Sequence, residues 1–134
     1  MEWANASKID VMIVADQAIM RDGLRLVIEK ETDLIVVCEA ANQKHATELF
    51  KLRSPSVTVI DLQIPAGAGV QLMHALHDLS ETAALIVLST YSSERQRVSA
   101  LAANHIVSVP KIAIAQFQLI DAIRSVARHV NQPE

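Results

Sequence analysis

One carboxylate stands where an apolar segment ends. Asp61 follows the apolar run at 57–60 and precedes a stretch at 62–69 that contains proline and two glycines. A carboxylate at the end of a buried strand is costly unless a cation or hydrogen bonds compensate its charge. The carboxyl ends of parallel strands are also where open α/β folds form ligand sites. Asp61 is therefore predicted to be a nucleophile, a metal ligand or both.

Three further polar residues follow other apolar runs: Asp16, Ser89 and Lys111. If the first and third runs are neighbouring strands, Asp16 and Asp61 meet at one sheet edge and repel each other unless a cation joins them or one takes up a proton. Mg²⁺ suits one or two carboxylates with a carbonyl and waters. A hydroxyl and an ammonium beside a carboxylate nucleophile would stabilise a transferring phosphoryl group.

Each of these residues also has a simpler explanation. Asp61 alone would be a turn or cap residue, and Asp16 alone would be the N-cap of the first helix. Ser89 would cap a loop, and Lys111 would be an ordinary exposed lysine. Only their order along the chain favours a shared site.

The elements that position these residues alternate along the chain. Five apolar runs rich in Val and Ile predict strands at 9–14, 34–38, 57–60, 85–88 and 106–109. They mostly lack strict alternation, which is typical of strands covered on both faces. Apolar residues at helical spacing follow each run: Ile19, Met20, Leu24, Val27 and Ile28; Ala46, Leu49 and Phe50; Val70, Met73 and Leu76; Val98, Leu101 and Ala102; and Phe117, Ile120, Ile123, Ala127 and Val130. The pattern predicts an α/β protein with a five-stranded parallel sheet flanked by five helices.

Composition excludes several classes of protein. The 134 residues are 51% hydrophobic and 20% charged, with a net charge of −3, and they predict one globular domain with a core at 8–130 and polar ends at 1–7 and 131–134. No basic block indicates nucleic-acid binding, and no apolar run is long enough for a membrane span. The single cysteine, Cys38, is expected to be a buried apolar residue. No secretory signal is visible, so a cytoplasmic location is expected.

The ordered motifs resemble the receiver domain of two-component response regulators, and most closely the LuxR/NarL-type subfamily. The resemblance covers about residues 8–130 and is carried by the stretches 14–25, 38–42, 59–65 with Gly69, 85–91, Lys111 and 122–126. It implies the flavodoxin-like (βα)5 receiver fold. It also implies a phosphoacceptor signalling domain that regulates an effector or partner, with transcription as the expected output, and that is not a metabolic enzyme.

The resemblance assigns a role to each position. Asp61 would accept a phosphoryl group from a histidine kinase or phosphotransfer protein. Asp16, Asp61 and the backbone carbonyl of Gln63 would bind Mg²⁺, and no other cofactor is implied. Ser89 and Lys111 would contact the phosphoryl group. The switch and loop positions are Thr90, Tyr91, Pro65 and Gly69. A homodimer through the first and last helices is implied, and DNA would be bound only by a separate effector domain.

Departures from the family pattern define an alternative function. Ala15 stands where the family has a second acid, Ser108 where an aromatic is common, and Pro110 precedes Lys111 in place of the usual Lys-Pro order. Loss of one outer partner of a metal can cost about tenfold in affinity. The alternative is therefore a receiver-like interaction module that no longer switches by phosphorylation.

Two other functions are disfavoured by single positions. A phosphatase of the haloacid-dehalogenase type needs a second Asp two residues after the nucleophile, where this chain has Gln63. A flavodoxin-like cofactor module needs a phosphate-binding loop after the first strand, and none is visible.

His74 and His77 share a helical face but have no third ligand in the sequence pattern, so a solvated face is expected.

Overall fold

The computed structural model of the chain describes residues 8–61, 68–89, 106–111 and 117–131. Five strands form one parallel sheet: β1 (Ile9–Val14), β2 (Leu34–Ala40), β3 (Val57–Asp61), β4 (Ala84–Ser89) and β5 (Ile106–Pro110). Four helices lie in the described part of the chain: α1 (Ala18–Glu29), α2 (Gln43–Arg53), α3 (Ala68–Leu79) and α4 (Phe117–Asn131). The predicted helix around Val98, Leu101 and Ala102 lies outside these residues.

The strand order is β2-β1-β3-β4-β5, so β3 is central and β1 and β4 are its neighbours. All four pairings are parallel. The order confirms the predicted α/β receiver architecture and the adjacency of the first and third strands.

Each face of the sheet carries its own apolar cluster. On one face, Leu24 and Ile28 of α1 and Leu119 and Ile123 of α4 pack against β-strand residues such as Ile86. The opposite face brings together Ala46 of α2, Leu72, Met73 and Leu76 of α3, and strand residues such as Ile60. Because strands covered on both faces need apolar residues at consecutive positions, this arrangement explains the continuous apolar runs of the sequence.

Two details of the helices differ from the sequence pattern. Ile19 was expected on the buried stripe of α1, but its side chain is 80% exposed, because the buried face is centred on Leu24 and Ile28. Leu119, Ala122 and Val126 are apolar residues outside the predicted stripe of α4; Leu119 and Val126 are buried in the core, and Ala122 is partly buried against it. Their burial means that the extra apolar positions of α4 are explained by packing within the chain.

The ends of the helices follow ordinary capping chemistry in part. The side chain of Asn42 caps α2 by accepting a hydrogen bond from the backbone N–H of His45 at 2.9 Å. Ser54 ends α2 in the left-handed conformation with φ 46°, and its N–H donates to the carbonyl of Phe50.

None of the helices in the described ranges is both long and apolar enough to cross a membrane.

Candidate phosphoryl-acceptor site

The strand register places the predicted residues along one edge of the sheet. Val14 is opposite Ile60, Asp61 is opposite Leu88, and Ser89 is opposite Pro110. Asp16 follows β1 by two residues and Lys111 follows β5 by one. Parallel strands end on the same side, so Asp16, Asp61, Ser89 and Lys111 all lie at the carboxyl edge of the sheet.

Asp61 is buried and paired with a cation. Its residue is only 3% exposed, and Lys111 Nζ lies 3.1 Å from its Oδ1. A carboxylate withdrawn from water needs such compensation, because its desolvation would otherwise oppose the charged form. The lysine side chain is 27% exposed, so the pair opens to solvent on the lysine side. The edge therefore presents a charged, anchored carboxylate.

Pro110 does not keep Lys111 from Asp61. It is the last residue of β5, which is an edge strand among the described strands, and edge strands are where sheets accommodate proline. The reversed Pro-Lys order is thus compatible with the ion pair.

Ser89 is buried without a hydrogen-bond partner among the described residues. It is 0% exposed, and its hydroxyl oxygen is shielded from solvent. An unsatisfied buried hydroxyl costs about 1–3 kcal/mol. The loop-cap prediction is untested, because the loop that follows Ser89 lies outside the described residues. A hydroxyl left in this state at the site edge is suited to donate to a group that arrives later.

Asp16 has no structural role as a helix cap. The N-cap of α1 is Gln17, which makes no side-chain capping bond, and the helix begins at Ala18. Asp16 is exposed, and within the described ranges its carboxylate makes no hydrogen bond or ion pair. The simpler explanation of Asp16 is therefore wrong, and the carboxylate is available to a ligand.

The residues present suit a hard divalent cation with few protein ligands. Asp16 and Asp61 offer carboxylate oxygens, the donors that Mg²⁺ prefers, and Mg²⁺ commonly keeps several waters. In the part of the chain that the structure describes, no group of three or more His, Cys, Asp or Glu side chains could hold a metal. A two-carboxylate site is what remains when Ala15 replaces an acid. The predicted carbonyl ligand of Gln63 lies outside the described residues.

The switch and loop positions divide into two groups. Pro65, Thr90 and Tyr91 lie outside the described residues. Gly69 was expected in a turn beside the site, but it is a buried residue in the first turn of α3. The helix begins at Ala68, two residues before Val70, which is the first apolar residue of the predicted stripe.

Sequence reasoning missed the contacts of the loop after β1. Arg21 Nη1 donates to the carbonyl oxygen of Ala15 at 2.7 Å, and Arg21 Nε lies 3.8 Å from Glu39 Oε1. The only signal was an arginine in the first turn of a predicted helix, close in sequence to Asp16. A second missed feature is Ser108, whose buried hydroxyl also has no hydrogen-bond partner among the described residues.

A groove among the described residues lies elsewhere. It measures about 480 Å³ and is lined by residues that include Phe50, Ser56, Leu79 and Ala84, near the amino ends of β3 and β4. Because it is at the opposite edge from Asp61, it plays no part in the chemistry of the carboxyl edge.

Two bacterial regulatory proteins are similar to this chain in sequence. The uncharacterized transcriptional regulatory protein YxjL of Bacillus subtilis is 30% identical over 124 residues, covering 92% of this chain and 56% of YxjL. The nitrate/nitrite response regulator protein NarL of Escherichia coli K12 is 26% identical over 98 residues, covering 73% of this chain and 45% of NarL. The chain thus spans about half the length of these relatives.

Solved structures agree with the sequence matches. A LuxR-family two-component response regulator from Aurantimonas sp. SI85-9A1 superposes with a TM-score of 0.81 at 25% identity, covering 92% of this chain and 87% of that one. The response regulator domain of Thermotoga maritima CheB has the same fold, with a TM-score of 0.78 at 22% identity, covering 94% and 99%. The family model of the response regulator receiver domain matches residues 11–124. The chain therefore belongs to the response regulator receiver domain family.

Proposed function

We propose that Asp61 accepts a phosphoryl group and that this chain is a phosphorylation-controlled signalling domain. The observation that carries the proposal is the buried Asp61 carboxylate held 3.1 Å from the Lys111 ammonium at the carboxyl edge of the sheet. The nearby ammonium compensates the charge of the buried carboxylate, and an aspartate carboxylate is a nucleophile that forms aspartyl phosphates.

The transfer is a displacement at phosphorus. A carboxylate oxygen of Asp61 attacks the phosphorus of a phosphohistidine donor, the P–N bond breaks, and the departing imidazole takes up a proton. The product is an acyl phosphate on Asp61. Lys111 moves from pairing with the carboxylate to pairing with a phosphoryl oxygen, and the Ser89 hydroxyl donates to another. Mg²⁺, held by Asp16 and Asp61, would neutralise charge on the transferring group.

The donor in this proposal is a histidine kinase or phosphotransfer protein in the cytoplasm. The chain then acts by changing its contacts with an effector, which in the relatives named as transcriptional regulators is connected with transcription. The chain itself would turn over no substrate. DNA binding would belong to an effector domain.

A phosphodonor experiment tests the acceptor role. Wild-type protein, Asp61→Asn and the control Asp78→Asn are incubated with acetyl phosphate and millimolar Mg²⁺, and intact mass is measured. Asp78 is an exposed carboxylate on α3, so it is a matched surface control. The mass of one phosphoryl group should appear in the wild type and in Asp78→Asn and be absent from Asp61→Asn.

The same experiment separates the alternative function. If the wild type gains no phosphoryl mass and shows no spectral change with beryllofluoride and Mg²⁺, the acceptor role is wrong. That outcome supports an interaction module that no longer switches, the reading favoured by Ala15 and by the small number of acidic ligands.

We also propose that two copies associate through α1. Ile19 and Leu26 are 80% and 66% exposed and lie seven residues apart, so they share one face of the helix. Gly23 lies between them, and a Cβ built there meets nothing within 4 Å. A mid-helix glycine costs about 1 kcal/mol relative to alanine. Among the described residues no neighbour within 4 Å requires a glycine at this position, whereas close approach of a second helix would. The exposed positions of α4 with described side chains, Gln118, Asp121 and Ser125, would form a polar rim.

A further inference from the structure

The loop that carries Asp16 is fixed on two sides. The backbone N–H of Ala15 donates to the carbonyl of Ala40 at 3.0 Å, and the Ala15 carbonyl accepts from Arg21 Nη1 at 2.7 Å. That carbonyl belongs to the peptide group that joins Ala15 to Asp16. Holding it therefore sets the direction in which the chain leaves β1 and the direction in which the Asp16 side chain starts.

Arg21 is itself supported by an acid from β2. Its Nε lies 3.8 Å from Glu39 Oε1, and the two side chains are 22% and 23% exposed. Glu39 also accepts a hydrogen bond from Arg25, which pairs in addition with Asp22 at 2.9 Å. The arginine is thus held in place at the end of β2 as well as in the first turn of α1.

Asp16 depends on this support because it has no other. Its carboxylate makes no contact of its own among the described residues, and Gln17, not Asp16, is the N-cap of α1. In a site with only two carboxylates, the orientation of each ligand decides a large share of cation affinity.

We infer that Arg21 is a positioning residue for the cation site: through the Ala15 carbonyl it aims the Asp16 carboxylate toward Asp61, and Glu39 holds Arg21 in that role. The inference rests on the proposed function. It assigns to Arg21 no contact with the cation or with the phosphoryl group.

The sign of the effect separates positioning from simple electrostatics. A guanidinium near a cation site repels Mg²⁺, so removing its charge should tighten binding if charge were all that mattered. Removing a residue that orients a ligand should weaken binding, typically by about 10–100-fold. The two accounts predict opposite changes.

The experiment measures Mg²⁺ binding directly, by following backbone amide shifts in NMR titrations of the full chain. We expect Arg21→Gln to weaken Mg²⁺ binding about tenfold, Glu39→Gln to weaken it less, and Arg21→Lys to recover part of the loss. Arg53→Gln, an exposed arginine at the end of α2, should match the wild type. At saturating Mg²⁺, Arg21→Gln should accept as much phosphoryl from acetyl phosphate as the wild type, because Asp61 and Lys111 are unchanged.

Each other outcome has a definite meaning. If the wild type binds Mg²⁺ and Arg21→Gln binds it equally or more tightly, the positioning role is wrong and the proposed function stands. If the wild type binds no Mg²⁺ and accepts no phosphoryl group, the proposed function itself is wrong. Should Arg21→Gln lose its amide dispersion and be unfolded, the folded Glu39→Gln variant decides: unchanged affinity there overturns the inference.

Discussion

Lys111 Nζ and Asp61 Oδ1 are 3.1 Å apart, and the lysine side chain is the more exposed member of the pair, at 27% against 5%. This asymmetry means that the two residues are not equivalent when one is removed. Loss of the lysine leaves a charge in a buried position, whereas loss of the acid leaves an ammonium that can turn toward water.

The first prediction concerns stability. Lys111→Met should lower the free energy of unfolding by about 1–3 kcal/mol, because a buried carboxylate loses the ammonium that lies 3.1 Å from it. The double variant Lys111→Met/Asp61→Asn should recover much of that loss, since no charge is left unpaired. Urea denaturation of the wild type, both single variants and the double variant measures the coupling. Strictly additive losses would show that the ion pair does not matter to the fold.

Ser89→Ala should separate stability from phosphoryl handling. Removing a buried hydroxyl that has no described partner should leave stability unchanged or raise it slightly, by up to about 1 kcal/mol. The same variant should show a weaker spectral response to beryllofluoride, because one donor to the phosphoryl-like group is gone. Thermal melts and the beryllofluoride titration are measured on one preparation. A clear loss of stability would mean that the hydroxyl is satisfied in solution.

Ala15→Asp should strengthen Mg²⁺ binding about tenfold by restoring an outer acidic partner. Ala15 is 0% exposed, so the new carboxylate would depend on the cation for compensation. The variant should therefore be less stable than the wild type without Mg²⁺ and approach it when Mg²⁺ is added. Calorimetric titration and melts with and without Mg²⁺ test both parts. Unchanged affinity would show that residue 15 does not limit the site.

Charge on the exposed face of α1 should prevent self-association. Ile19→Glu and Leu26→Glu should each remove the dimer formed by the beryllofluoride-treated protein, because both place a charge at the centre of the apolar contact. Leu52→Glu is the matched control, since Leu52 is 76% exposed on α2. Analytical ultracentrifugation gives the mass. Dimers that persist in both α1 variants would move the interface elsewhere.

The contact between α4 and the loop after α1 should give stability a specific pH dependence. Arg124 donates to both carboxylate oxygens of Asp33, from Nε and Nη2, each at 2.9 Å, and this hydrogen bonding is the main cause that lowers the pKa of Asp33 below its usual 3.8. A lowered folded-state pKa contributes stability above the unfolded pKa that is lost as pH falls through the folded value.

Asp33→Asn should therefore cost about 0.5–1 kcal/mol at pH 7, a modest value because the Asp33 side chain is 42% exposed. The difference from the wild type should shrink as pH falls below about 4, the range in which Asp33 takes up a proton. Asp78→Asn should show no such convergence. Urea denaturation at several pH values measures it, and a constant difference down to the acid limit would contradict the assignment.

Much of the fold could be predicted from the residue pattern, because strands covered on both faces appear in the sequence as continuous apolar runs. The apolar runs located all five strands, and the parallel alternation placed Asp61 at the correct edge. The end of β2 was missed by two residues, since Glu39 interrupts the apolar run although it pairs with Ile13 in the ladder. Ile19 was placed on the wrong side of α1 because an apolar residue next to a buried stripe carries no sign of its exposure.

The contacts within the candidate site were harder to predict from the sequence than the strands were. Strand ends identify which side chains share an edge, but they say nothing about bonds made by backbone carbonyls. The contact from Arg21 to Ala15 depends on the path of a short loop, and no spacing rule encodes that path. The sequence also could not predict that the Ser89 hydroxyl lacks a hydrogen-bond partner among the described residues, because a serine at a strand end gives the same sequence pattern with or without one.

The Ser89 hydroxyl has no hydrogen-bond partner among the described residues, and this bears on how far one chemical event at Asp61 shifts the conformation of the rest of the molecule. A hydrogen bond that forms only after modification stabilises the modified conformation by the whole free energy of that bond. A stabilisation of about 1–3 kcal/mol corresponds to about a 5–150-fold change in the ratio of two conformers. If the unmodified form already satisfied this hydroxyl, modification would change the free-energy difference between the two conformations by that much less. The free energy of this one hydrogen bond is thus an upper limit on how far the Ser89 side chain alone can shift the conformational equilibrium.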